Sequence, residues 1–132
     1  MVRCSVESVS GVRFGGYRTD STAPLDSVGS LSFRCDGVMA GDAISIRLSK
    51  GQGGGSYNPR TMKQGNKRLE YNLYVDAART VVWGDGTNGT AAYTAVPVDG
   101  QVVSIPIYGR IPPQQNVAPG SYSSTILVQL LF

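Results

Sequence analysis

A chain of 132 residues that is 41% apolar and 16% charged is long enough to bury one core and too apolar to stay unfolded. Twelve Lys/Arg against nine Asp/Glu leave a scattered net charge of +3, which argues against a nucleic-acid-binding stripe. The lack of histidine excludes Ser-His-Asp and Cys-His nucleophilic sites. Seventeen glycines and seven prolines argue against long helices, and no apolar run approaches the ~20 residues of a membrane-spanning helix.

Period-two patterns dominate from the start of the chain. Ser5 to Val9 is predicted to be a short strand, and within "SGVRFGGY" Val12 and Phe14 are placed to resume extended structure. Leu31, Phe33 and Cys35 alternate with Ser30, Ser32 and Arg34, a half-buried strand that ends at Asp36-Gly37. Ile44, Ile46 and Leu48 alternate with Ser45, Arg47 and Ser49. "KGQGGGSYNPR" reads as a connecting loop, because it lacks the Gly-Lys-Ser/Thr and the helix that a phosphate loop requires. The basic run Arg60, Lys63, Lys67 and Arg68 reads as a solvated loop.

Leu69, Tyr71, Leu73 and Val75 then form one side of a strand, with Glu70, Asn72 and Tyr74 on the other. Asp76 to Arg79 has room for one helical turn, and Val81 to Trp83 for a short strand before a Gly-Asp-Gly turn. Asp85, Thr87 and Asn88 offer oxygens to a hard cation, but their spacing does not fit an EF-hand loop, and a tight turn is the reading. Val103, Ile105 and Ile107 line one side of the next strand, where Pro106 calls for an edge position or a bulge. Last come Tyr122, Ser124, Ile126, Val128, Leu130 and Phe132 on one face, with Ser123, Thr125, Leu127, Gln129 and Leu131 on the other.

About seven short strands separated by turns predict one all-β sandwich domain over residues 1–132. The acids are spread singly, so no catalytic pair, metal ligand set or cofactor site is expected. Cys4 and Cys35 read as one disulfide in an oxidising compartment, with two buried thiols as the alternative. Trp83 reads first as a core residue and second as a sugar-stacking platform, with Tyr57 and Tyr93 as companion surface contacts. The terminal strand poses the main question. Left unpaired, so apolar a segment is an aggregation hazard, and either another polypeptide or a strand of the same chain must cover it.

"YNLYVDAARTVVWGDGT" followed by "VSIPIYGRIPPQQNVAPGSYSSTILVQLLF" resembles the spore coat protein U family, which includes pilin subunits of the archaic chaperone–usher pathway. The early cysteine pair and "LSKGQGGG…NPRTMK" fit the same pattern. The resemblance implies an incomplete immunoglobulin-like β-sandwich of six or seven strands, completed by a donated strand. It implies a groove lined by Ile126, Val128, Leu130 and Phe132, a Cys4–Cys35 clamp, and a carboxylate on Phe132 held by basic residues of a chaperone.

The implied partners are a periplasmic chaperone, an usher and neighbouring pilins joined by strand exchange, with a domain-swapped or self-complemented oligomer as another form. The implied role is a non-enzymatic structural subunit of a secreted surface fibre, found in the periplasm during assembly and then in a cell-surface pilus or coat. A spore or cyst coat protein, or an adhesin tip acting through Trp83, Tyr57 and Tyr93, are the alternatives. One departure stands out: only Met1, Val2 and Arg3 precede Cys4, where family subunits carry an apolar donor segment. The expectation is a chain that accepts a strand and has no donor segment of its own in this sequence, whether that segment was removed, lies elsewhere or never existed.

Overall fold

The computed structural model describes residues 2–12, 14, 22–51, 56–57, 60–64, 66–87, 89–113, 115, 122 and 126–132. Eight strands follow in chain order: β1 (Arg3–Ser10), β2 (Leu25–Asp36), β3 (Ile44–Leu48), β4 (Arg60–Gln64), β5 (Lys67–Tyr74), β6 (Tyr93–Ala95), β7 (Val102–Ile111) and β8 (Val128–Leu131). They form a five-stranded sheet in the order β1-β2-β7-β5-β4 and a three-stranded sheet in the order β6-β3-β8. Neighbouring strands are antiparallel throughout. The predicted all-β sandwich is what forms.

Alternation explains the core. Leu31, Phe33 and Cys35 of β2, Leu69, Tyr71 and Leu73 of β5, and Ile105, Ile107 and Ile111 of β7 point inward from the large sheet. They meet Ile44, Ile46 and Leu48 of β3, each at most 1% exposed. Fully burying such side chains contributes about 1.5–3 kcal/mol apiece, enough to offset the ordering of the strands. Trp83 is wholly buried in the same cluster, where its indole N–H donates to Ile46 O at 2.9 Å and Tyr93 lies against it at 5.5 Å.

Several elements differ from the sequence-based expectation. β2 begins at Leu25, five residues before the alternation becomes visible, because ten consecutive pairs with β7 carry it through "LDSVG". Arg60 starts a strand, β4, that pairs with β5, and its guanidinium is buried and not solvated. Lys63, Lys67 and Arg68 of that hairpin are exposed. Val82 and Trp83 make single bridges to Tyr74 and Ala91 in place of a strand. β6, three residues long, carries too little pattern to be seen in advance. β7 is an interior strand, but β5 pairs with it only over Tyr108–Arg110, so Pro106 has a ladder neighbour on the β2 side alone. There its missing N–H costs least.

Two glycines set the end of the sandwich. After β1 the chain crosses inward, bringing Val12 and Phe14 onto the core, with Phe14 edge-on to Tyr71 at 6.3 Å. A Cβ on Gly29 would lie 2.5 Å from Ser10 O, and one on Gly109 would lie 2.7 Å from the Phe14 ring. Only the bare backbone admits this crossing.

Arg60 ties the far end together. Its Nε and Nη2 donate to Ser49 O at 3.0 and 2.9 Å, its Nη1 to Asn72 Oδ1 at 3.0 Å, and its Nη2 also to Trp83 O. Its plane lies 5.4 Å from the Tyr57 ring centre. Burial pulls the guanidinium from 12.5 down to about 10, so it stays charged at neutral pH and holds carbonyls that would otherwise lack donors.

Candidate functional site

The last strand is paired on one side. β8 bonds to β3 in the register Ser45↔Leu131, Ile46↔Leu130, Arg47↔Gln129 and Leu48↔Val128. Directly opposed residues share a face, so Val128 and Leu130 point inward with Leu48 and Ile46. Among the described residues no strand pairs with the other edge of β8. Its N–H and C=O groups there are an open template for a further strand.

The large sheet is left uncovered at the same rim. β1 approaches β8 across the gap, with Cα atoms within 8 Å. Cys4, Val6 and Val9 stand opposite Cys35, Phe33 and Leu31, so they share the core-facing side. Plain alternation would not place Val6 and Val9 on one face. The register shifts between Val6 and Ser8, and Glu7 is the extra residue of a β-bulge that resets it. Phe33 and Leu31 are fully buried, yet their neighbours Val6 and Val9 remain 39% and 50% exposed. Among the described residues the opposing sheet, β6-β3-β8, has no strand beyond β8 to cover them.

The sequence-predicted residues are distributed around this rim. Ile126, Val128 and Leu130 pack partly buried against the core, whereas Phe132 lies beyond the end of β8 and is 59% exposed. The regular strand covers Val128–Leu131. Ser123, Ser124 and Thr125 lie outside the described residues, and Tyr122 and Ile126 reach the core without joining the ladder. Cys4 and Cys35 form the expected disulfide, which anchors the start of β1 to β2.

The three aromatic candidates do not assemble. Trp83 is fully enclosed, so it forms no exposed platform, and the half-buried Tyr93 lies against it. Tyr57 lies apart from them, half-buried beside Arg60. The tight-turn reading holds around Asp85, whose Oδ1 accepts from the Thr87 backbone N–H at 2.9 Å and from its hydroxyl. Asn88 lies outside the described residues.

Val6 and Val9 were missed as site residues. The short apolar spacing was visible in Ser5 to Val9, but no local signal announces a bulge or an absent cover.

Comparison with known proteins agrees with this architecture. A relative over 98% of this chain, and 77% of its own length, is Protein U of Myxococcus xanthus, 28% identical over 144 residues. A similar solved structure is the CsuC–CsuE chaperone–tip adhesion subunit pre-assembly complex from the archaic chaperone–usher Csu pili of Acinetobacter baumannii. It matches with a TM-score of 0.66 and 20% identity over the whole of this chain and 40% of the solved chain. The present chain thus spans less than half the length of that solved one and shares its immunoglobulin-like fold. Residues 1–129 match the spore coat protein U domain, and the chain belongs to that family.

Proposed function

We propose that this domain is a non-enzymatic structural subunit of a secreted bacterial surface fibre, assembled by accepting a strand from another polypeptide. The observation that carries this reading is the rim itself: among the described residues β8 has no partner on one edge, beside the exposed Val6 and Val9. A strand laid along β8 at the usual ~4.8 Å spacing gains backbone hydrogen bonds, and its alternate side chains cover the two valines and the inner side of Leu130. Phe132, 59% exposed beyond the strand's end, marks one limit of the groove. A periplasmic chaperone supplies the strand first. A neighbouring subunit, delivered at an usher, replaces it.

The test is direct. An alternating apolar peptide, at about 100 times its Kd, adds ~2.7 kcal/mol and raises the melting temperature by about 10 °C. The same peptide slows amide exchange along β8. Leu130→Asp, at the groove wall, and Val6→Asp, at an exposed position that leaves the core intact, both remove the gain. If several peptides of this pattern leave melting and exchange unchanged, strand acceptance is wrong.

The family's name and its Myxococcus relative favour a second reading, a coat component that packs into layers. Electron microscopy of native material separates extended fibres from a layer.

A further inference from the structure

The two ends of the large sheet carry unlike chemistry. At one end the β4–β5 hairpin runs past its neighbours: Asn72 of β5 stands opposite Arg110, near the end of β7, so Arg68 lies four residues, about 13 Å, further out. There Lys63 and Arg68 are directly opposed across the ladder, on one face, and Lys67 follows beside the turn. All three are exposed, and none has an ion-pair partner among the described residues. Like charges set directly opposite each other destabilise a strand pair. Glu70, two positions along the same face, offsets only part of this charge. An acidic surface laid against the hairpin removes the penalty.

At the other end two loops, residues 37–43 and 96–101, close the sandwich. The Val38 N–H donates to Asp99 Oδ1 at 3.1 Å, the Met39 N–H to Asp42 Oδ2 at 2.8 Å, and the Gly100 N–H to Cys35 O at 2.8 Å. Because Asp99 and Asp42 accept from successive amides, the two carboxylates are fixed side by side, and each keeps a second oxygen. Neither has a cationic partner among the described residues; Arg34, in the same region, bonds to Asp36 instead. Met39, Val96, Val98 and Val102 of this end are each at least 50% exposed.

Exposed carbon beside two fixed carboxylates suits long cationic side chains, whose aliphatic stems cover the carbon while their heads meet the oxygens. A purely apolar partner would leave the carboxylates unpaired, and an acidic one is repelled. The hairpin supplies the fitting chemistry: Lys63 and Arg68, opposed at the ~5 Å of cross-strand neighbours, match two carboxylates held at adjacent amides. The strand registers set the two ends roughly 40 Å apart in one molecule, several times the ~8 Å screening length, so they cannot neutralise each other internally. We infer that the end formed by Met39, Val96 and Val98 is the docking surface for the β4–β5 hairpin of a second copy of this chain. Lys63 and Arg68 of one copy bond to Asp42 and Asp99 of the next. Each partner uses a different surface, so copies join head to tail. The contact involves no edge of β8 and stands whether or not the rim takes a strand.

Analytical ultracentrifugation of the full chain tests it, over about 20 μM to 1 mM protein in about 20 mM and 500 mM NaCl. In low salt the mean mass rises with concentration, and in high salt it falls back toward the monomer. The pair Lys63→Gln and Arg68→Gln weakens association by about tenfold or more, as does the pair Asp42→Asn and Asp99→Asn, each at unchanged melting temperature. Asparagine keeps the oxygen that the Val38 and Met39 amides need. A mixture of the two double variants forms dimers and nothing larger, because each retains one intact end. A monomer at every concentration overturns the proposal, as does assembly indifferent to salt. So does wild-type assembly by either variant, or a mixture that stays monomeric. Loss of assembly when an alternating apolar peptide fills the rim would place the contact at β8 and overturn it too.

Discussion

The middle of the sandwich and its β1–β8 rim are built from the same kind of strand, yet they end in opposite states. At the centre, Leu31 and Phe33 of β2 face Ile44 and Ile46 of β3, and all four are 0% exposed. One strand away, Val6 and Val9 lie on the same face of the same sheet and are 39% and 50% exposed. Nothing in the side chains themselves separates the two sets. The difference lies in the opposing layer, which among the described residues has three strands against five. An alternating pattern states which way a side chain points; whether anything waits there depends on the neighbour count of the other sheet.

The sharpest way to test this contrast is to truncate one large aromatic from each region. Trp83→Ala removes a wholly buried ring and leaves Ile46 O without its donor, and the loss should be ~3–5 kcal/mol in chemical denaturation. Phe132→Ala, at the rim, should cost the isolated chain under ~0.5 kcal/mol. Comparable losses would mean that the rim is already closed.

Reduction of Cys4–Cys35 follows in size. The disulfide spans 31 positions and holds the otherwise exposed β1 against β2, so opening it should cost ~3–4 kcal/mol in the chain-entropy picture. The melting temperature with and without reductant gives the answer. A negligible shift would mean that β1 is secured by its ladder alone.

Gly29→Ala probes the crossing that separates the rim from the covered end. The new Cβ would press on Ser10 O and the Gly11–Val12 backbone, neither of which can swing aside as a side-chain tip would, and ~1–3 kcal/mol should be lost. Wild-type stability would show that the crossing is displaced easily.

The smallest effect is expected at Asp26, on the outer surface of the covered region. Its Oδ1 and Oδ2 accept from Arg110 Nε and Nη2 at 2.7 and 3.0 Å, and this hydrogen bonding, with the charges of Arg110 and Arg79, holds the carboxyl below its ordinary 3.8. A depressed folded-state value places the stabilisation above about pH 4 and removes it as pH falls through the lowered value. Asp26→Asn should therefore cost ~0.5 kcal/mol at neutral pH, discounted for exposure, and the gap to wild type should narrow in acid. A gap independent of pH would remove the charge from the explanation.

Much of the centre was legible in advance because its rule is local. Leu31, Phe33 and Cys35, then Ile44, Ile46 and Leu48, repeat every second residue and are buried as that period requires. The rest failed for identifiable reasons. Arg60 occupies an inward position that pattern reading reserves for apolar residues, so β4 was taken for a solvated loop; only the carbonyls of Ser49 and Trp83, converging from elsewhere, make its burial tolerable. Val9 was not seen as a site residue because the bulge at Glu7 resets the alternation through pairing with β2.

Composition and alternation by themselves settled that the fold is all-β and that Leu31, Phe33, Ile44, Ile46 and Leu48 point into its core. Those properties depend on neighbours two positions away. The edge of β8 that no described strand pairs, the exposed valines of β1 and the cation buried at Arg60 were decided only by the tertiary structure. Each is a statement about how many layers and acceptors surround a residue, and that number is set by segments far apart along the chain.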